Sequence, residues 1–268
     1  EFFAALDGIT DPEAKRKAIG DTFLAVQKRV SEAMGLTADG GWMLGQGTIY
    51  PDTIETGGTA HADHIKTHHN RVEAIQAMIE KGLVIEPLKE LYKDEVRRLG
   101  EELGLPHALV WRHPFPGPGL GVRILCATGP DLDVGYADAA EKKTVEAFLA
   151  ANAGRVLPVR SVGVQGDGRT YRHAVAFFTG ESPAKAAWAR AQARSIPNRI
   201  RAFSRVLLCC SHADPADLVV TPGGITPERA DLLREADAVV HEEMARAGLY
   251  EKVWQFPVVL LPAGLRPG

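Results

Sequence analysis

LVIEPLKELYKDEVRRLGEELG, residues 83–104, changes its hydrophobic period midway. LVIEPL (83–88) is a short apolar run of the kind that forms a strand. From Tyr92 onward the apolar residues Tyr92, Val96, Leu99 and Leu103 recur at helical spacing, and Gly104 stops the pattern. A strand handing over to an amphipathic helix is half of a βαβ unit. The preceding stretch repeats the theme. WMLGQG (42–47) reads as a buried strand ending in glycine, and Val72, Ile75 and Ile79 share one face of a helix that Gly82 ends. The alternation predicts an α/β layer with a parallel sheet.

Working outward, Asp11 can cap a helix and Pro12 suits its first position. Ile19, Phe23, Val26, Val30 and Met34 follow at helical spacing, with Gly35 as the stop. PFPGPGLG (114–121) can be neither helix nor central strand. A domain boundary is expected shortly after it, near Cys126, giving domains at 1–126 and 127–268. In the second half, Val156–Val164 and Thr170–Phe178 read as strands around the tight turn QGDGR. A helix is expected over about 183–195, a buried strand at RVLLCC (205–210), a long helix from Thr226-Pro227-Glu228 to Arg246, and a last strand at VWQFPVVLLP (253–262). The order β-β-α-β-α-β predicts a small α+β domain.

The chain has 268 residues, of which 45% are hydrophobic, so it can bury a substantial core. A net charge of −3 gives no reason to expect nucleic acid or an acidic membrane as partner. No apolar run reaches the roughly 18 residues of a membrane span. Three cysteines, two of them adjacent, make an odd count for a disulfide framework and suit a reducing cytoplasm.

Four stretches could carry chemistry. HADHIKTHHN (61–70) holds four of the nine histidines beside Lys66. From the residues alone it could be a solvated loop, a zinc site using His61, His64 and His68, or a loop closing over phosphate. A mobile ammonium at Lys66 favours the last. GQGTIYPDTIE (45–55) puts Asp52 and Glu55 past the C-terminal end of a strand, where open α/β sheets bind ligands. They could hold Mg²⁺ on nucleotide phosphates, or only complement a helix dipole. DPEAKRK (11–17) offers Arg16 near a helix start, as a phosphate grip or as part of a solvated face. QGDGR places Asp167 in a turn, as a plain hairpin tip or as an acceptor for a base or ribose.

Together these stretches resemble one family, GMP synthetase, the glutamine-hydrolysing ligase of guanine nucleotide synthesis. DPEAKRKAIGDTF, GQGTIYPDTIE, HIKTHHN, IEPLKELYKDEVRRLG, RHPFPGPGLGVRIL, LPVRSVGVQGDGRTY and VWQFPVVLLP run in family order over nearly the whole chain. The spacing of the later motifs looks like the longer, eukaryote-like form of the dimerisation region. The resemblance implies the C-terminal part of an adenine-nucleotide alpha-hydrolase-like ATP pyrophosphatase domain, its lid at about 56–71, followed by a domain for dimerisation and for binding xanthosine monophosphate (XMP).

The resemblance also implies the reaction. ATP adenylylates the 2-oxygen of XMP, pyrophosphate leaves, and ammonia then displaces AMP to give GMP. Lys66, with His68 and His69, would meet the ATP phosphates or the adenylyl intermediate. Asp52 would lie beside the nucleotide as a Mg²⁺ or ribose partner, with Glu55 near it. Arg16, Asp167 and Gln255 match positions that contact XMP. A homodimer formed through the C-terminal domain is implied, and ammonia would come from a glutaminase domain or subunit.

Several family features are missing. There is no S-G-G-x-D-S phosphate loop, no C-terminal K-P-P-x-T-I-E-W-E and no Cys-His-Glu glutaminase triad, and Arg71 follows Asn70 where many relatives have V-G-G. The expectation is a piece cut at both ends that turns over poorly by itself. A non-catalytic dimerising paralogue or scaffold is the alternative.

Overall fold

The computed structural model describes residues 1–37, 40–56, 78–114, 117–129, 134–165 and 168–266, with the backbone alone at 54–56, 164–165 and 168–169. The chain divides into two compact units: Gly20–Gly117 with Val240–Pro257, and Glu1–Ile19 with Pro118–Val239 and Val258–Gly268. Residues 1–19 and 240–257 therefore each pack with the half opposite to the one that a single cut near Cys126 would give them.

The unit built on residues 20–117 contains the parallel pair expected from the strand–helix alternation. β1 (Leu44–Gly45) lies beside β2 (Val84–Ile85), with Leu44 opposite Val84. Both strands are shorter than their apolar runs. Trp42 and Met43, expected inside, are exposed. Helix Lys93–Glu102 follows β2, and the Glu95 carboxylate accepts the Tyr92 backbone N–H at 2.7 Å to close its first turn. Val96 and Leu99 are half-buried, but Tyr92 and Leu103 at the ends of the stripe are exposed. Helix Pro12–Ala33 starts as expected, with Asp11 accepting the Glu13 and Ala14 amides. Of its apolar stripe, Ile19 packs against a core cluster, whereas Phe23, Val30 and Met34 are exposed. Of the helix expected through Val72, Ile75 and Ile79, residues 78–80 are helical and a turn follows at Gly82, while Val72 and Ile75 lie outside the described residues.

The other unit is built on a three-stranded mixed sheet. β3 (Gly154–Gln165) runs antiparallel to β4 (Gly168–Phe178), and β4 runs parallel to β5 (Phe203–Cys209). Parallel neighbours need a long crossover, which helix Pro183–Arg199 supplies. The β3–β4 register shifts between Leu157 and Arg160. Pro158 sits there and has no N–H to give the ladder. Alternation along β4 sends side chains to two cores. Val175 and Phe177 pack with Val145, Leu149, Ala189 and Phe203. Ala174, Ala176 and Phe178 pack with Leu157 and Val159. A third cluster joins Leu6, Ile124, Cys126, Ile225 and Leu233.

Two differences have local causes. VWQFPVVLLP forms no regular strand, only an isolated bridge from Leu260 to Ile124. Pro257 and Pro262 remove ladder donors at both ends of its apolar core. The chain instead pairs β6 (Leu218–Val220) with β7 (Ala263–Leu265) just beyond it. Helix Ala139–Ala151 is an addition, capped by Asp138, which accepts the Glu141 amide at 2.7 Å. Among the described residues no helix is long and apolar enough to cross a membrane.

Candidate active site

β1 and β2 place their C-terminal ends side by side, and the chain leaving each one carries polar groups. Gln46 N–H donates to the Ile85 carbonyl at 2.9 Å, extending the pairing one step. Buried Thr48 donates its hydroxyl to the Glu86 carboxylate at 2.5 Å. Helix Tyr50–Thr56 then begins, tied to the β2 side by the Tyr50 N–H to Leu91 carbonyl bond of 2.9 Å. Asp52 sits in its first turn, where one carboxylate oxygen accepts the Ile49 N–H at 3.1 Å.

Cations gather on the β2 side. Lys93 opens helix Lys93–Glu102, and Arg97 lies one turn on. Partial withdrawal from water, then the Arg97 and Arg112 charges, hold the Lys93 ammonium below its ordinary value, against the opposing pull of Asp52. Lys93 therefore lies within electrostatic reach of one carboxylate and two guanidinium groups.

Aromatic rings extend it. The Arg97 guanidinium lies 4.8 Å from the Trp111 ring centre and 5.3 Å from that of Trp254, and the Lys93 ammonium lies 5.6 Å from Trp254. A cavity of about 360 Å³ opens among Arg97, His107, Trp111, His113, Tyr250 and Trp254. At its edge Glu101 accepts the Trp111 indole N–H at 2.6 Å and lies 3.1 Å from His107 Nδ1. These two bonds, Trp111 first, hold the Glu101 carboxyl below its usual range. Gln255, next to Trp254, donates its amide N–H to the Pro114 carbonyl at 3.1 Å.

Of the residues singled out from the sequence, Asp52 and Gln255 belong to this unit. Arg16 belongs to the other, on helix Pro12–Ala33, next to the buried Lys15. Lys15 donates to the Ile124 carbonyl at 2.8 Å and lies 3.7 Å from the Cys126 sulfur. Glu55 is described by its backbone in helix Tyr50–Thr56. Lys66, His68, His69 and Asp167 lie outside the described residues. Glu86, Lys93 and Arg97 escaped the sequence reading; Arg112 and His113, at the mouth of RHPFPGPGLG, read there as a ligand-facing segment or as part of a rigid connector. A lysine just after a predicted strand–loop was a usable signal for Lys93; nothing local marks Arg97 as the partner of Trp254.

Mg²⁺ bound with nucleotide phosphates needs only one or two protein carboxylates, and its other ligands are phosphate oxygens and water. Asp52 fits that limited role. Among the described residues no three candidate ligands converge, so they build no self-sufficient metal cage.

No family model matches the chain. Curated proteins do. A probable GMP synthase (glutamine-hydrolyzing) of Leptospira interrogans is 44% identical over 270 residues, covering 98% of this chain and 43% of that protein. The GMP synthase (glutamine-hydrolyzing) of Dictyostelium discoideum is 34% identical, covering 97% of this chain and 42% of its own length. That of Xanthomonas oryzae pv. oryzae is 43% identical, covering 81% of this chain and 44% of its own. Over nearly its whole length the chain belongs to the GMP synthase family, and it spans less than half the length of these relatives.

Proposed function

We propose that this chain carries the nucleotide-activating and dimerisation parts of a GMP synthase that makes GMP from XMP, ATP and ammonia. The observation that carries the reading is the match, at 44% identity over 98% of the chain, to a relative named as a probable GMP synthase. The geometry supports it. Lys93, Arg97 and Arg112 concentrate positive charge beyond the end of a parallel pair, where a triphosphate would need it. Asp52 faces the same neighbourhood and would hold Mg²⁺ brought in on the phosphates.

The chemistry explains the need. A lactam-like oxygen is a poor leaving group, and transfer of an adenylyl group to it turns it into AMP, a good one. The metal supplies charge neutralisation at the phosphates when bound. The side chains bind, orient and exclude water: Lys66, His68 and His69 act at the phosphates or the adenylylated base, and Arg16, Asp167 and Gln255 hold XMP. Ammonia comes from a glutaminase domain or subunit. The protein works in the cytoplasm as a homodimer through the region 127–268, without nucleic acid or membrane as partner.

The test uses the complete polypeptide that contains this chain, given XMP, ATP, Mg²⁺ and ammonium. GMP, AMP and pyrophosphate should form in equal amounts. ADP in place of AMP, or no GMP at all, would overturn the proposal; the second outcome would leave a dimerising scaffold as the role.

A further inference from the structure

The segment that carries Gln255 has no strand or helix of its own from Val253 onward, yet it is held at several points. The His113 ring lies flat on the Tyr250 ring, with centres 4.0 Å apart and planes 4° apart. His113 Nε2 donates to the Tyr250 carbonyl at 2.6 Å, and the His113 backbone N–H donates to the Tyr250 phenol oxygen at 3.2 Å. A carbonyl can only accept, so the first bond fixes a proton on Nε2. On the far side Trp254 rests against Arg97.

The next residue in the chain, Pro114, completes the seat. Its carbonyl accepts the Gln255 amide N–H. An amide oxygen cannot bond to a carbonyl, so chemistry decides which end of the Gln255 amide faces Pro114. The carboxamide oxygen then points away from the Pro114 carbonyl, and Gln255 is exposed, so that oxygen is open to accept from an incoming molecule.

We infer that His113 is a positioning residue for purine recognition: it seats the 250–255 segment so that Gln255 offers an acceptor oxygen to a ring N–H of the xanthine base. This rests on the assignment of Gln255 to XMP. Xanthine carries ring N–H groups at positions 1 and 3, whereas the adenine ring of ATP carries none in its six-membered ring. An acceptor held in place therefore favours the correct purine, and leaving it unpaired with the wrong one disfavours that partner. His113 touches no substrate in this scheme and acts through the segment it holds.

The experiment compares Q255L, H113L, H113Q and the H113L/Q255L double variant in the complete polypeptide, with KM for XMP, KM for ATP and kcat measured separately. Q255L should raise KM for XMP about tenfold, the size of one lost neutral hydrogen bond with its orphaned partner. KM for ATP and kcat should stay within about twofold, because uniform binding of one substrate is what is lost. H113L should act in the same direction. H113Q keeps an N–H able to reach the Tyr250 carbonyl and should recover most of the loss. The double variant should be no worse than Q255L, since His113 acts through Gln255. If H113L fails to fold, H113Q and Y250F, which removes only the phenol acceptor, supply the same comparison. Additive losses in the double variant, or an equal rise in KM for ATP, would overturn the inference and leave the assignment of Gln255 intact. An unchanged KM for XMP in Q255L would overturn that assignment and the inference with it.

Discussion

At the scale of single residues, two lysines occupy contrasting environments. Lys15 is 1% exposed, and burial lowers its pKa despite the opposing influence of Cys126. Between that lowered value and the ordinary 10.5, the unfolded chain binds more protons than the folded one. Stability should therefore rise with pH across this window, and the cost of burying the charge should be fully present below it. Urea unfolding from neutral pH to about pH 10 should show a steeper rise for the native chain than for K15M; identical slopes would contradict the account. Lys93 instead lies among Arg97, Arg112 and Asp52. K93M should lose roughly 10²-fold in kcat/KM for ATP, the effect of removing one preorganised charge, and K93R should retain part of it. Steady-state kinetics with varied ATP decide this, and a loss confined to XMP would contradict it. Asp52 and Gln255 were legible as candidates because each lies inside a long motif. Arg97 was not, because its meaning depends on Trp254, which only the folded chain brings near.

At the scale of elements, the packing of β3 against helix Ala139–Ala151 depends on a missing side chain. A Cβ at Gly154 would come within 2.8 Å of Leu149 Cδ2, 2.9 Å of Phe177 Cε1 and 3.2 Å of Leu149 Cα. The last of these is backbone and cannot swing aside. G154A should cost about 1–3 kcal/mol by overpacking, visible as a lower Tm in thermal unfolding, and an unchanged Tm would contradict the account. Elements with strong periodicity and clear ends were legible in the sequence. Helices Pro12–Ala33 and Pro227–Arg246 start at the prolines expected to open them, helix Pro183–Arg199 starts where expected and runs four residues further, and β4 alternates between two cores. Helix Ala139–Ala151 was missed although Asp138 and Glu141 form a legible capping pair, with Glu141 accepting the Ala137 amide at 2.6 Å. The apolar run VVLLP promised a strand, but its flanking prolines prevented one. β6 and β7 are three residues each, too short for a period to show.

At the scale of the whole molecule, composition and alternation were enough to place the chain among α/β proteins, and the parallel β1–β2 pair agrees. The division into units was harder to foresee. Residues 1–19 and 240–257 each join a body formed mainly by distant sequence, and neither periodicity nor turn chemistry reports such exchanges. The family resemblance was legible in the order of the motifs, and relatives 34–44% identical over nearly the entire chain show the membership. The central claim is that such a protein activates the purine by transferring an adenylyl group to its 2-oxygen. XMP labelled with ¹⁸O at position 2, turned over by the complete polypeptide with ATP, Mg²⁺ and ammonium, tests this most directly. Mass spectrometry should find the label in the phosphate of AMP, one atom for each GMP formed; label released into water or pyrophosphate, with none in AMP, would contradict the account.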